Sequence, residues 1–371
     1  MNRVIIIGNG FDKAHGLATG YKDFIDSYWD KVSHHIFNDE KRLYKERSGN
    51  ILPPNTYDDR LISFEILDYR TNKKSSPSYP KSCSSPYDDV QKLIAMFNDY
   101  REGYRGSVQL KFKNEFFEHV SGRCSLTNWV DIENEYYENL KELLQENDTL
   151  IREEKVQKLN QDFDIVKEEL EKYLTKIVEE AKPTRFGSIQ KAFDSVIEPD
   201  EIAYIKQRSV YDLIIQEVEK SNLKEEEQYK TALYLNKTKG IPLQLYPIND
   251  QNFRTRHFTP KQTLVLNFNY TRTAEKKYNG SGYEVINIHG QLNDENNPII
   301  FGYGDELDDD YKRIEKLQDN DFLENIKSIR YHETSNYRKL LSFIEAKPYQ
   351  VITMGHSCGN SDRTLLNASS I

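Results

Sequence analysis

The sequence predicts an α/β fold. A parallel, Rossmann-like sheet over residues 1–30 and 260–371 is interrupted by an irregular insertion at 31–110 and a mainly helical one at 111–259. Three observations predict it. The β-branched run Arg3-Val4-Ile5-Ile6-Ile7 stops at Gly8-Asn9-Gly10, which reads as a buried parallel strand entering a tight turn. Apolar runs of strand length return after residue 260, each ending in small or polar residues. Between them the dominant pattern is helical.

Asp12 can cap a segment beginning after the first turn, and Thr19 can N-cap a helix carrying Phe24, Ile25, Tyr28 and Trp29. Residues 36–110 lack steady periodicity, and the Ser- and Pro-rich stretch 73–86 must be loop. Val156, Leu159, Phe163, Val166, Leu170, Tyr173 and Ile177 alternate steps of three and four, an amphipathic seam that ends before Pro183. Packing on its own domain is the first reading of that seam; a homo-oligomer contact is the other. Residues 184–260 read as helical and then irregular, with breaks at Ile241-Pro242-Leu243 and Tyr246-Pro247. Strands are then expected at 263–268, 284–288, 298–302 and 350–354, with a last helix starting at Ser361-Asp362.

Composition narrows the function. No apolar run approaches the ~20 residues of a spanning helix, so no membrane partner is expected. The opening apolar run is too short for a signal peptide. Cys83, Cys124 and Cys358 fit neither a disulfide framework nor a zinc site, which points to a reducing, cytoplasmic compartment and to no bound metal. Lys and Arg number 51 against 60 Asp and Glu, a net charge of −9, so direct nucleic-acid binding is not expected.

In an open parallel sheet the carboxyl ends of the strands line the ligand crevice. Gly8, Asn9 and Gly10, Asn269, His289, and Gly355, His356 and Ser357 are therefore expected to converge. Gly8-x-Gly10 after a strand can offer backbone amides to a phosphate or can simply be a tight turn. It is neither a Gly-x-Gly-x-x-Gly fingerprint nor a Walker loop. The cofactor-binding set read here is Gly8, Asn9, Gly10, Phe11, Asp12, Gly355, His356 and Ser357. Asn269 and His289 are the candidate catalytic pair, a positioning amide and a base suited to neutral pH; the other reading of His289 is a histidine bonded to neighbouring backbone. Asn267 is the alternative to Asn269. Trp129, Asp131 and Glu133 read either as an anchor for the helical region or as a pocket wall, and His15 is close enough to the glycine loop to touch a ligand.

Those residues carry a resemblance. Ile7 to Asp12, His15-Gly16-Leu17, Tyr21 to Phe24, Trp129 to Glu133, Asn267 to Thr271, His289-Gly290, Phe301-Gly302, and Gly355-His356-Ser357 with Asp362 resemble the bacteriophage abortive-infection AbiH family. That family in turn is similar to the sirtuin-like, NAD-binding group. The Gly-Ala-Gly loop of that group is matched by Gly8-Asn9-Gly10, its Asn by Asn269 and its His-Gly by His289-Gly290. Asn9, Asp12 and Thr271 depart from the pattern, and the four-cysteine zinc module of deacetylating sirtuins is missing from the sequence. The resemblance implies phage defence with NAD or a related nucleotide as ligand or substrate. His289 would activate water or a ribose hydroxyl, and Asn269 would position it. The alternative is a non-catalytic nucleotide-sensing protein acting through a partner. A nuclease toxin finds little support in these residues. The resemblance also implies a further helix and strand after Asp362, where only Asn367 to Ile371 remain beyond the last apolar residues, so a shortened sheet with an open edge is expected.

Overall fold

The computed structural model describes residues 1–37, 55–71, 85–98, 104–128, 130–198, 201–221, 251–278, 282–303 and 308–368. The chain is a mixed α/β protein. β1 (Asn2–Ile7), β5 (Thr263–Asn267), β6 (Tyr283–Asn287) and β7 (Tyr349–Met354) form a parallel sheet in the order β6-β5-β1-β7. β2 (Tyr57–Asp58), β3 (Ile62–Thr71) and β4 (Tyr104–Phe112) form an antiparallel one. The helices in chain order are α1 (Asn9–Ala14), α2 (Tyr21–Phe37), α3 (Pro86–Asn98), α4 (Glu115–Thr127), α5 (Ile132–Leu143), α6 (Thr149–Glu180), α7 (Gly187–Asp194) and α8 (Tyr204–Ser221). They continue as α9 (Gln251–Phe258), α10 (Thr273–Tyr278), α11 (Asp309–Leu317), α12 (Asn320–Leu323), α13 (Lys327–Arg330), α14 (Asn336–Ala346) and α15 (Arg363–Ala368).

The β-branched run of β1 forms a central strand because both of its faces are covered. Val4 and Ile6 pack with Leu264, Leu266, Ile286, Leu340 and Phe343. Ile5 and Ile7 pack on the other face with Phe11, Phe193, Val265 and Tyr278. The register pairs Ile7 with Asn267 on one side and with Met354 on the other, and Asn267 with Asn287. Three strand ends therefore lie level with the end of β1. From β1 the sheet grows one way through β5 and β6 and the other way to β7, so strand order reverses beside β1. A crevice at the carboxyl ends belongs at such a point. Among the described residues β7 pairs only with β1, as an outer strand.

The helical layer rests on α6. Asp148 caps it, accepting from the amides of Leu150 at 3.0 Å and Ile151 at 3.2 Å. Val156, Leu159, Phe163, Val166 and Leu170 are buried within the chain against α2, α4, α5 and neighbouring segments. Beyond Leu170 the buried position moves to Leu174, while Tyr173 is half-buried. A straight helix turns every 3.6 residues, so a strict 3.5-residue seam drifts off the core face within a few turns.

The structure departs from expectation in several places. Residues 57–112 carry the antiparallel sheet and α3, where an irregular insertion was expected. Ile62, Phe64 and Val108 reach the same core as Trp29 and Phe117. Residues 298–302, buried from Ile299 onward, form no strand: Ile300 N–H donates to His289 O at 2.9 Å, and Tyr303 makes an isolated bridge to Ile326. Thr19 does not cap α2; its hydroxyl donates to Asn9 Oδ1 at 2.7 Å, and the helix begins from Gly20. Most of the Ser- and Pro-rich stretch, Trp129, and the breaks at Pro242 and Pro247 lie outside the described residues.

Candidate functional site

The site begins where two loops touch. Gly8 N–H donates to Met354 O at 3.3 Å, and Gly10 N–H donates to Gly355 O at 2.8 Å. A Cβ on Gly8 would lie 2.8 Å from the His356 backbone, and one on Gly10 would lie 2.8 Å from Gly355 Cα. Gly355 has φ +68°, and its Cβ would fall on the Phe11 amide. The glycines let the β1 and β7 loops interlock, and the amides of Gly8 and Gly10 are spent on that contact rather than held open for a phosphate. Gly355→Ala is expected to destabilise the protein by about 1–3 kcal/mol or more, from the left-handed backbone and the clash together. Urea denaturation checks this; an unchanged midpoint would show that the loops have slack.

Around this contact lies a cavity of about 340 Å³. Strand ends and their loops supply Gly8, Asn9, Gly10, Asp12, Asn269, His289, Gly355, His356 and Ser357. The facing wall comes from the helical layer: Tyr21, Val130, Asp131, Glu133 and Leu174. The structure thus brings together the candidate catalytic pair and, except for Phe11, the cofactor-binding set expected from the sequence. Its ring is only 2% exposed and packs 4.4 Å from His15 and 5.8 Å from Tyr278, beneath the cavity. His15 is also committed there, bonded through Nδ1 to Phe11 O and through Nε2 to the Tyr278 hydroxyl, both at 2.6 Å.

Asn269 is tied to the loop it faces: Nδ2 donates to Gly8 O at 2.9 Å, and its amide donates to Asn267 Oδ1 at 2.9 Å. Asn267, the alternative, is sealed below the cavity by bonds to Thr271 O and to Asn287 Oδ1. Thr271 in turn donates to Asp12 Oδ2 at 2.6 Å.

The floor is a charged cluster. Lys327 Nζ, fully buried, lies 3.0 Å from both Glu133 Oε2 and Asp362 Oδ1. Gly302 N–H donates to Glu133 Oε1 at 3.0 Å. His289 Nε2 stands 3.2 Å from Asp362 Oδ1 and 3.0 Å from the Tyr331 hydroxyl. His356 Nε2 stands 3.4 Å from Asp362 Oδ2, while His356 Nδ1 accepts from Cys358 N–H at 2.9 Å. An acceptor at Nδ1 places the His356 proton on Nε2, facing the carboxylate. The Asp362 carboxylate beside His289 Nε2 asks for the proton there, which leaves the Nδ1 lone pair without a hydrogen-bond partner among the described residues.

A family model for bacteriophage abortive infection AbiH matches residues 4–369. The chain belongs to the AbiH family. No curated protein and no solved structure matches it. Family membership brings with it a role in bacteriophage abortive infection.

The electrostatics of this AbiH site come from burial and from one lysine. Burial pushes the carboxyls of Glu133, Asp131 and Asp12 above their ordinary range, with Lys327 opposing at Glu133. Burial would also raise Asp362, but Lys327 and the two imidazoles outweigh it and hold that carboxyl well below its usual value. Burial and the Lys327 charge push His289 down to about 4, so it is neutral at pH 7. The sequence gives no sign of Lys327 or Tyr331 here, and it marks Asp362 as a helix start and as part of the family resemblance, with no site role. Nothing local marks Lys327, whose partners lie in other segments.

His289 should make stability fall in acid. The unfolded imidazole takes up a proton near 6.5, whereas the folded one resists until about 4. In that window the unfolded state binds more protons, so stability is full above 6.5 and lost as pH falls toward 4, by about 3 kcal/mol for this one group. Urea unfolding of wild type and His289→Gln at pH 7 and pH 4.5 should show the variant losing about 2–3 kcal/mol less than wild type between the two. Equal losses would remove His289 from the acid response.

Proposed function

We propose that this AbiH protein acts in abortive infection by binding NAD or a related nucleotide in the cavity and hydrolysing its nicotinamide–ribose bond. The observation that carries this reading is the charge of the cavity. Asp12, Asp131, Glu133 and Asp362 line it, while its lining lysines, Lys13 and Lys22, are already paired with Asp23 and Asp26. Breaking a nicotinamide–ribose bond builds positive charge on the sugar, and fixed carboxylates stabilise it. The His289 lone pair supplies an acceptor for a ribose hydroxyl or for water, and Asn269 holds the loop beside it. Purified protein incubated with NAD should release nicotinamide and ADP-ribose in equal amounts, measured by chromatography. Intact NAD, with or without lysate from phage-infected cells, would overturn hydrolysis. A rise in melting temperature with NAD but no turnover would favour a nucleotide sensor acting through a partner.

A further inference from the structure

We propose that Asp131 is the carboxylate that acts at the anomeric carbon of the bound ribose, an inference that rests on the hydrolase reading above. Four carboxylates line the cavity, and three are committed elsewhere. Asp362 holds Lys327, His289 and His356. Glu133 spends one oxygen on Gly302 N–H and the other on Lys327. Asp12 takes the Thr271 hydroxyl on Oδ2, and its Oδ1 is sealed off from solvent without a partner.

Asp131 differs from all three. As the N-cap of α5 it accepts from Asn134 N–H through Oδ1 at 3.2 Å, which fixes the side chain. The Glu133 amide is its other hydrogen-bond partner, no side chain bonds to the carboxylate among the described residues, and it belongs to a half-buried residue on the cavity wall. That wall is the helical one, across from the strand ends that carry Asn269 and His289. A sugar in the cavity lies between them.

The chemistry balances without a further reactant. The C1′–N bond breaks, its electron pair passes to the ring nitrogen, and neutral nicotinamide leaves. The ribosyl oxocarbenium ion faces the Asp131 carboxylate. As a water oxygen bonds to C1′, Oδ2 takes the water proton and later releases it to solvent. The sum is dinucleotide plus water giving nicotinamide, ADP-ribose and a proton.

The cap makes a clean test available, because Asn and Ser cap helices about as well as Asp. Asp131→Asn should keep the melting temperature of wild type, lower kcat about 100-fold or more, and leave KM within about three-fold. Asp131→Ser should lose as much, and added formate, which fits the space left, should restore at least about ten-fold. Wild-type turnover with Asp131→Asn within three-fold of it would overturn this assignment and leave the hydrolase reading standing. Loss of turnover together with a fall in melting temperature and no formate rescue would reduce Asp131 to a cap and overturn it too. No nicotinamide release by wild type would overturn both.

Discussion

Replacing Lys327 by methionine is expected to lower the unfolding free energy by about 3–5 kcal/mol, the usual cost of leaving a buried charge without its partner. The ammonium is fully buried and bridges two carboxylates at 3.0 Å each, from α5 and from the segment leading into α15. Methionine fills much of the volume but leaves Asp362 ionised with only imidazoles against it. Glu133, already pushed up by burial, would take a proton instead. A proton held by the folded state alone makes the variant recover stability as pH falls, so its deficit should be smaller at pH 5.5 than at pH 8. Adding Asp362→Asn to Lys327→Met should cost less than the sum of the two single changes by about 2 kcal/mol or more, since the pair is lost once. Urea unfolding of the four proteins measures this. A loss under 1 kcal/mol for Lys327→Met, or strict additivity, would show that the cluster is solvated enough not to need the lysine.

How much could be read from the sequence depends on where each cause lies. β1 was legible because burial on both faces demands a continuous apolar run, and Val4 to Ile7 supply it locally. The convergence of Gly8, Asn269, His289 and Ser357 was legible because parallel topology fixes which strand ends meet. The helix seam was legible to Leu170, and it slipped at Tyr173 because a heptad template was laid on a straight helix. β3 carries its own signal within the stretch read as irregular, since Ile62-Ser63-Phe64-Glu65-Ile66 alternates apolar and polar residues at period two. Residues 298–302 differ the other way: a short apolar run looks like a strand, but the Gly302 amide goes to Glu133 and the Ile300 amide to the His289 carbonyl. The glycine loop was ambiguous in principle, because a phosphate cradle and a close loop contact ask for the same residues. Only the position of Gly355 separates them. By sequence Asp131 and Glu133 read as either anchor or wall, and the structure makes Glu133 both. Lys327 could not be found, since its role exists only where three distant segments meet.

His289→Ala is expected to lower nicotinamide release about 100-fold or more at pH 7 while the protein stays folded, the scale for losing one group that handles a proton or a reacting hydroxyl. The ring is neutral there, so its removal strips no charge from Asp362, and Lys327 still balances that carboxylate. Asn269→Ala should lower release to a similar extent but with an added stability loss of about 1–3 kcal/mol, because Gly8 O would lose a buried donor. Tyr331→Phe separates the two ends of the imidazole. Its hydroxyl stands on the Nε2 side, away from the unpartnered Nδ1, so turnover should fall less than ten-fold. A Tyr331→Phe loss as large as that of His289→Ala would mean that orientation through Nε2, rather than the Nδ1 lone pair, sets the rate. Full turnover in His289→Ala, with loss confined to Asp131→Asn, would place the whole of proton transfer on the carboxylate of the helical wall and leave the imidazole as a member of the buried charge cluster alone.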